Sequence, residues 1–91
     1  MTEHELKTWP KYFDVVRMGR KRFELRKNDR DFKVGDTLYL REWNPATDDY
    51  TGRSLRVKVR YLLKDAKFLG LDEGFVIMSI DLIAGSSPAG S

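Results

Sequence analysis

The segment Ser54–Leu63 alternates between apolar and polar side chains, and this pattern constrains the fold more than any other part of the sequence. Its apolar positions are Leu55, Val57, Val59, Tyr61 and Leu63. The positions between them include the basic residues Arg56, Lys58 and Arg60. Because successive side chains of a strand point to opposite faces of a sheet, the alternation predicts a half-buried β-strand with one basic face.

Four further segments are typical of strands, and one is typical of a helix. The predicted strands are His4–Thr8, Lys21–Asn28, Thr37–Trp43 and the nearly all-apolar Phe75–Ile83, which we expect to be the most buried. The helix is predicted over residues 10–18, beginning at Pro10 and ending before Gly19. A single helical turn is predicted at residues 71–73.

Five or six short strands with one early helix predict an α+β fold that is mostly β. We expect a mainly antiparallel sheet closed into a small barrel, because closure protects the edge strands, with the helix packed beside one opening. The 91 residues suit one domain, over residues 1–83. The small residues of 84–91 predict a disordered tail.

The composition excludes several classes of function. The chain has no cysteine, which excludes disulfides, thiolate catalysis and cysteine-ligated zinc. His4 is the one histidine and has no candidate ligands near it in sequence, so we predict no metal and no cofactor. The absence of a long apolar run or a signal-like start predicts a soluble, cytoplasmic protein that does not enter a membrane. The net charge of +3 favours polyanions only weakly.

The segment from Gly19 to Arg30 is the densest in charge and carries the main functional hypothesis. If it is a strand, Phe23 and Leu25 are expected to point into the core. The opposite face then holds Arg22, Glu24, Arg26 and Asn28. A glutamate between two arginines is typical either of an exposed ion-pair ladder or of a site that recognises an anion.

The chain also resembles a known superfamily at a series of positions spread over residues 4–82. The matching positions are Leu6-Lys7, Pro10, Tyr12-Phe13, Gly19-x-Lys21-x-x-Glu24-x-Arg26, Asn28-Asp29-Arg30-x-Phe32, Val34-Gly35-Asp36, Leu40-x-Glu42-Trp43, Tyr50-Thr51-Gly52 and Gly74-Phe75-Val76. This string resembles the ASCH superfamily, and more closely a short bacterial and phage branch of it that has no assigned function.

The resemblance implies a PUA-like pseudo-barrel with a cleft between helix and barrel, where the Gly-x-Lys signature lies. Related domains bind RNA, and one ASCH group removes acyl groups from N4-acylated cytidine with a Lys, a Thr and a Glu from a later insertion. This chain keeps the Lys as Lys21 but has Glu24 in place of the Thr. Roughly ten residues around 64–73 replace the insertion, so the resemblance does not carry that activity over.

The predicted ligand-binding residues comprise the signature, the turn after it, one aromatic residue and four basic residues near or within Ser54–Leu63. They are Lys21, Glu24, Arg26, Asn28, Arg30, Trp43, Arg53, Arg56, Lys58 and Arg60. We refer to the last four as the basic stripe, which would either track a phosphate backbone or be a solvated face. Asn28 and Arg30 belong either to a binding loop or to a simple turn. Trp43, like Trp9, Tyr39 and Tyr50, would either stack on a base or pack against the barrel.

Three functions remain open at this point. The first is a module that binds RNA or a nucleotide through Lys21, Glu24 and Arg26. The second is a metal-free hydrolase of acylated cytidine or of RNA, in which Lys21 and Glu24 act as the catalytic pair. The third is a small regulatory protein whose basic stripe meets an acidic partner.

Overall fold

The computed structural model describes residues 1–83. The elements along the chain are β1 (Glu3–Thr8), α1 (Pro10–Arg17), β2 (Phe23–Lys27), β3 (Thr37–Asn44), β4 (Asp49–Leu63), a 3-10 turn (Lys67–Leu69) and β5 (Phe75–Leu82). The five predicted strands and the helix are confirmed. The predicted turn at 71–73 forms earlier, at Lys67–Leu69, and the predicted tail at 84–91 lies outside the described residues.

The five strands form one sheet in the order β1-β3-β4-β5-β2. Only β1 and β3 are parallel, and the other neighbouring pairs are antiparallel. The register shifts between Arg41 and Trp43, and again between Val59 and Tyr61. Irregularities of this kind bend a sheet. The result is a curved half-barrel with β1 and β2 at its two edges, which confirms the predicted small α+β pseudo-barrel.

The core lies on the concave face of this sheet. Alternate residues of β3, β4 and β5 are buried there, and α1 adds Phe13 and Val16. The sheet residues of the core are Leu6, Leu38, Leu40, Leu55, Val57, Val59, Val76, Met78 and Ile80. The β5 strand has exposed residues at both ends, whereas β3 has none, which corrects the expectation that β5 is the most buried strand.

One expectation about β4, that Tyr61 shares the buried face with Leu55, Val57 and Val59, is wrong. The irregularity after Val59 turns Tyr61 outward, and Leu62 packs against the core in its place. An extra residue in one strand reverses the faces of all positions that follow it. In the loop before β3, Phe32 is buried and Val34 is exposed.

The most important correction concerns β2, whose two faces are the reverse of those predicted. Phe23 and Leu25 are 49% and 53% exposed, whereas Glu24 is only 3% exposed. Glu24 lies opposite Met78, which is fully buried on β5. Because directly opposed residues share a face, the apolar residues of β5 fix which side of β2 points inward. A carboxylate therefore enters the barrel, where it needs cationic partners.

Candidate functional site

A cleft of about 580 Å³ opens between the end of β1, the start of α1 and the free edge of β2. The residues that line it are Lys7, Thr8, Trp9, Tyr12, Lys21, Phe23, Glu24, Leu25 and Arg26. A volume of this size is typical of a pocket for one small ligand. Lys21, Glu24 and Arg26, the first three predicted site residues, therefore lie in one hollow.

Gly19 ends α1 and brings Lys21 to this cleft. It has φ of +76°, a left-handed conformation that glycine adopts without strain. The Gly19 amide donates to Val16 O at 3.0 Å, and the Arg20 amide donates to Val15 O at 2.9 Å. This is the bond pattern of a Schellman motif, which caps the last carbonyls of a helix while reversing the chain. The Gly-x-Lys spacing thus places the lysine directly after the reversal.

The polar floor of the cleft is an ion-pair network centred on Glu24. Lys21 Nζ lies 2.8 Å from Glu24 Oε1, and Arg26 Nε lies 2.9 Å from Glu24 Oε2. Lys21 Nζ also donates to the carbonyl of Phe23 at 2.8 Å. Each carboxylate oxygen is therefore held by a different cation. The two cations remain partly exposed while the carboxylate is buried, so the network presents positive charge to the cleft.

Two predicted site arginines join the edges of the half-barrel. Arg26 Nη2 donates to the carbonyl of Lys7 at 3.0 Å, and Arg30 Nη1 donates to the carbonyl of Glu5 at 2.6 Å. Both acceptors belong to β1, an edge strand. Side chains from the β2 end of the sheet thus cover part of the β1 edge, where an unpaired strand would otherwise be exposed. Arg30 therefore makes a structural contact and does not line the cleft.

The turn reading applies to Asn28 as well. Asn28 Oδ1 accepts a hydrogen bond from the Phe32 amide at 3.1 Å, which closes the turn after β2. Within that turn Asp31 takes a positive φ of 50°, a conformation that aspartate tolerates better than most residues. Asn28 and Arg30 were predicted as ligand-binding residues, and the structure does not bring them to the cleft.

The free edge of β2 also contributes main-chain groups. Arg22 O accepts a hydrogen bond from Ile80 N at 3.0 Å, so even-numbered residues of β2 bond to β5. In an antiparallel ladder the residues between them direct their amides and carbonyls to the other side. The Phe23 carbonyl follows this rule, since it accepts from Lys21 Nζ. The amide and carbonyl of Leu25 are therefore directed toward the cleft.

Three aromatic rings flank the cleft, and sequence reasoning selected only one of them. Trp9 is 54% exposed, and Tyr12 and Phe23 expose 46% and 49% of their surface. Trp9 was among the predicted stacking residues, whereas Phe23 was assigned to the core and Tyr12 was not proposed as a site residue. The signal that could have found Phe23 is its position inside the Gly-x-Lys-x-x-Glu signature, between two residues of the site.

A second hollow of about 370 Å³ adjoins the cleft along the outer side of α1. It is lined by Lys11, Tyr12, Val15, Arg20, Lys21 and Phe23, and we call it the basic hollow. Tyr12, Lys21 and Phe23 line both spaces, so the two are continuous. Together their walls contain five cations (Lys7, Lys11, Arg20, Lys21 and Arg26) and one carboxylate, Glu24.

Trp43 lies just beyond the cleft, on the outer face of β3. Its ring meets Tyr50 edge to face at 5.0 Å between centroids, and Lys7 Nζ lies 3.9 Å above the Trp43 ring. The Arg41 guanidinium covers Tyr50 at 3.7 Å and pairs with Glu5 at 3.1 Å. We call Trp43 and Tyr50 the aromatic platform. Lys7, which also lines the cleft, connects the platform to it.

The basic stripe lies elsewhere, and acidic residues neutralise most of it. Arg56 pairs with Glu3 at 2.7 Å, and Arg60 pairs with Asp81 at 2.8 Å. The hydrogen bond to Glu3 raises the pKa of Arg56. The remaining lysine of the stripe, Lys58, is half-buried and lies opposite Asp81 on β5.

Arg53, the fourth member of the stripe, is enclosed by two acids. It contacts Asp14 at 2.6 Å and Glu42 Oε2 at 3.2 Å, and its Nε lies 3.1 Å from Glu42 Oε1 without hydrogen-bond geometry. The hydrogen bond from Arg53 lowers the pKa of Asp14, although burial opposes this, and the same bond raises the pKa of Arg53. Thr51 donates to the buried Glu42 at 2.6 Å. Arg53 therefore ties α1 to β3 and β4.

His4 does not line the cleft and contacts Asp36 and Phe32 instead. Its Nε2 lies 2.8 Å from Asp36 Oδ2, and its ring packs against Phe32. Burial tends to raise the pKa of Asp36, but hydrogen bonds from His4 and from the amides of Thr2 and Lys33 outweigh it and lower the pKa. His4 and Asp36 thus form a structural pair that ties the start of β1 to the loop before β3.

The described part of the chain has neither a helix suited to crossing a membrane nor a metal-binding cluster. No helix within residues 1–83 is long and apolar enough to span a bilayer. Over the same residues, no three His, Cys, Asp or Glu side chains are grouped so that they could hold a metal ion.

Comparison with known proteins identifies the family. The chain is 46% identical over 56 residues to the "Uncharacterized 12.9 kDa protein in GpA 3'region" of Escherichia phage P2. That match covers 62% of this chain and 50% of the phage protein, so the chain spans about half the length of the curated relative it matches. A model of the family described as "Domain of unknown function (DUF3850)" matches residues 3–80. The protein therefore belongs to the DUF3850 family.

Proposed function

We propose that this domain is an ASCH-type, PUA-like module that binds RNA or a nucleotide in the cleft. The observation that carries the proposal is the composition of the cleft and basic hollow, which combine five cations, one carboxylate and three partly exposed aromatic rings. Five cations and one carboxylate give these walls a net charge of +4, whereas the whole chain has a net charge of +3, so the excess positive charge is concentrated in the walls. A nucleotide requires both features, because its base stacks on an aromatic ring and its phosphate binds a cation.

Each part of the cleft has a role in this proposal. Trp9, Tyr12 and Phe23 offer faces on which a base can stack. The amide and carbonyl of Leu25 offer one donor and one acceptor to a base edge. Lys21 attracts a phosphate, and Glu24 fixes its position from below.

The state of Glu24 favours binding over catalysis. Both of its oxygens accept hydrogen bonds from cations, and its side chain is almost completely buried. A carboxylate that attacks a substrate or removes a proton needs an oxygen within reach of that substrate. The network instead suits a fixed, positively charged floor.

The test is a fluorescence titration of the protein with nucleoside monophosphates and with a short single-stranded RNA, since Trp9 lies in the cleft. We expect saturable quenching, and we expect Trp9→Ala and Tyr12→Ala to weaken binding about tenfold because each removes a stacking face. Both side chains are half exposed, so the variants should fold normally. The matched control is Tyr61→Ala, which removes an exposed tyrosine far along β4.

If neither the monophosphates nor the RNA bind at up to millimolar concentration, the proposal is wrong. Equal weakening by Tyr61→Ala would show that the binding is not localised to the cleft. The same experiment includes incubation with N4-acetylcytidine. If cytidine is released by the unchanged protein and not by Lys21→Ala, the function is hydrolysis and the binding proposal is wrong.

A further inference from the structure

We infer that the ligand is a single-stranded polynucleotide that crosses the cleft, with one end on the basic hollow and the other on the aromatic platform. This inference rests on the proposed function and extends it from a single nucleotide to a strand. Its basis is the continuity of three surfaces that each combine a cation with an aromatic ring. Proteins that bind single strands use this alternation, in which bases stack while cations follow the backbone.

The basic hollow provides the first of these surfaces. Lys11 and Arg20 line it and form no ion pair with any residue in the described range 1–83. The Lys11 Nζ lies 5.7 Å from the centre of the Tyr12 ring, which forms the boundary with the cleft. Two cations without acidic partners, placed beside a ring, suit a phosphate adjacent to a stacked base.

The aromatic platform provides the surface at the other side. Lys7 reaches Trp43 through a cation–π contact and makes no ion pair within residues 1–83, whereas Arg41 is engaged by Glu5. A base that stacks on Trp43 would displace the Lys7 ammonium to a neighbouring phosphate, where it gains a direct ionic contact. Lys7 lines the cleft as well, so the path from the cleft to the platform is unbroken.

The space available supports a strand over a mononucleotide. The cleft alone is large enough for one nucleotide, and the contacts of the basic hollow and the platform would then remain unused. The single carboxylate along the cleft and hollow is Glu24, whose charge is compensated by Lys21 and Arg26. A backbone that passes from Arg20 to Lys7 therefore meets no uncompensated negative charge in these two walls.

The experiment compares oligouridylates of one, two, four and eight nucleotides by fluorescence titration. We expect affinity to rise at least tenfold from the mononucleotide to the tetranucleotide and then to level off. Trp43→Ala and Arg20→Glu should each weaken binding of the tetranucleotide about tenfold and should weaken binding of the mononucleotide less, because the cleft alone is large enough for one nucleotide. Trp43→Phe retains a ring and should restore most of the lost affinity.

Two controls match these variants in chemistry. Tyr61→Ala removes an aromatic ring from a distant part of β4, and Lys67→Glu changes the total charge by the same amount as Arg20→Glu. Thermal unfolding of every variant establishes that it is folded under the conditions of the titration. We expect both controls to bind like the unchanged protein.

The result that overturns this inference is a tetranucleotide that binds no more tightly than the mononucleotide, with no effect of Trp43→Ala. In that case the cleft still binds a nucleotide and the proposed function stands. If no oligouridylate binds at any length, the inference and the proposed function both fail. A loss caused equally by Lys67→Glu would also overturn it, because the effect would then come from the total charge.

Discussion

The basic stripe and the walls of the cleft and basic hollow both collect cations, but acidic residues pair with a larger share of the stripe than of the walls. In the stripe, Arg56 and Arg60 each pair with an acid at less than 3 Å. Around the cleft, Lys7, Lys11 and Arg20 have no ion-pair partner within residues 1–83. From the sequence, the charge density of the stripe indicated either a surface that tracks a phosphate backbone or a solvated face. Lys7, Lys11 and Arg20 lie instead in β1, in the first turn of α1 and just after α1.

The difference between the stripe and the walls shows that the density of charged residues along a sequence does not determine the electrostatic field at the folded surface. Glu3 reaches Arg56 across 53 positions of sequence, and Asp81 reaches Arg60 across 21. Folding brings these acids to the stripe because β1, β4 and β5 share one curved sheet. Pairing of this kind reduces the attraction for phosphate, since an incoming phosphate must compete with a carboxylate already in place.

The largest expected difference between the two regions concerns the loss of an acid. Glu24→Ala removes the buried acceptor of Lys21 and Arg26, and we expect the free energy of unfolding to fall by about 2 to 3 kcal/mol. Asp81→Ala removes the exposed acceptor of Arg60, for which a loss of about 0–1 kcal/mol is expected. Urea denaturation of both variants measures the difference.

Glu24→Gln sharpens this test because it keeps the size of the side chain and one carbonyl acceptor. We expect the free energy of unfolding of Glu24→Gln to lie between that of the unchanged protein and that of Glu24→Ala. If Glu24→Ala and Asp81→Ala are equally stable, the buried network is not what holds β2 to the barrel.

The second largest effect concerns the helix end that delivers Lys21. Gly19→Ala forces a side chain into the left-handed region, which costs about 1 to 2 kcal/mol, although the added methyl group meets no atom within 4 Å. Gly70→Ala is the matched control, with φ of +93° and equally open space, at the end of the 3-10 turn between β4 and β5. Thermal unfolding should show similar losses for both variants.

Nucleotide affinity then separates the two glycines. Gly19→Ala should also weaken binding, because relaxation of the strained turn moves Lys21 away from Glu24. Gly70→Ala should leave the affinity unchanged. A Gly19→Ala variant that is destabilised but binds normally would mean that the turn does not position the lysine.

Periodicity was sufficient to predict the fold. The alternation in Ser54–Leu63, the apolar stretch Phe75–Ile83 and the Pro10 and Gly19 boundaries predicted elements that the structure confirms to within a few residues. The alternation of residues along a strand defines its two faces, but it does not show which face points into the core when both faces carry large side chains. Phe23 and Leu25 were therefore assigned to the core, although β5 imposes the opposite choice.

The site could be predicted only in part, for a related physical reason. Lys21, Glu24 and Arg26 are close in sequence; their spacing left an ion-pair ladder and an anion site open, and the resemblance to the ASCH superfamily implied their place at a cleft. The contributions of Trp9, Tyr12 and Lys7 depend on how α1 lies against β2, which no local pattern encodes. Arg30 does not line the cleft and contacts a backbone carbonyl of β1, for which the sequence carries no signal.

A smaller effect is expected on the stability of the protein in acid. It tests whether the ion pair between Arg53 of the stripe and Asp14 of α1 forms in solution. The pKa values of Asp14 and Asp36 are both lowered in the folded protein from 3.8, so the folded state binds protons less readily than the unfolded chain. Their contribution to stability is therefore present above about pH 4 and is lost as the pH falls through the lower folded values. Asp36→Asn should flatten this loss most, because Asp36 is the more buried.

Asp14→Asn should flatten the acid limb less, since the pair with Arg53 is partly exposed. Unfolding in urea, repeated at intervals between neutral pH and pH 3, gives the comparison. A stability of the unchanged protein that is constant over this range would contradict the lowered pKa values. An Asp14→Asn variant that matches the unchanged protein at every pH would show that the Arg53–Asp14 pair adds no measurable stability.

The smallest expected effect decides between the stripe and the basic hollow as the surface that meets phosphate. The affinity for a single-stranded oligonucleotide should fall with salt, and each phosphate contact should contribute about 0.7 to the slope of log affinity against log salt concentration. Arg20→Ala removes one such contact and should reduce the slope by about that amount. Arg60→Ala should leave the slope unchanged, because Asp81 already occupies that guanidinium. If Arg60→Ala reduces the slope as much as Arg20→Ala does, the stripe releases its acids to bind phosphate, and the distinction between paired and available cations does not hold for this protein.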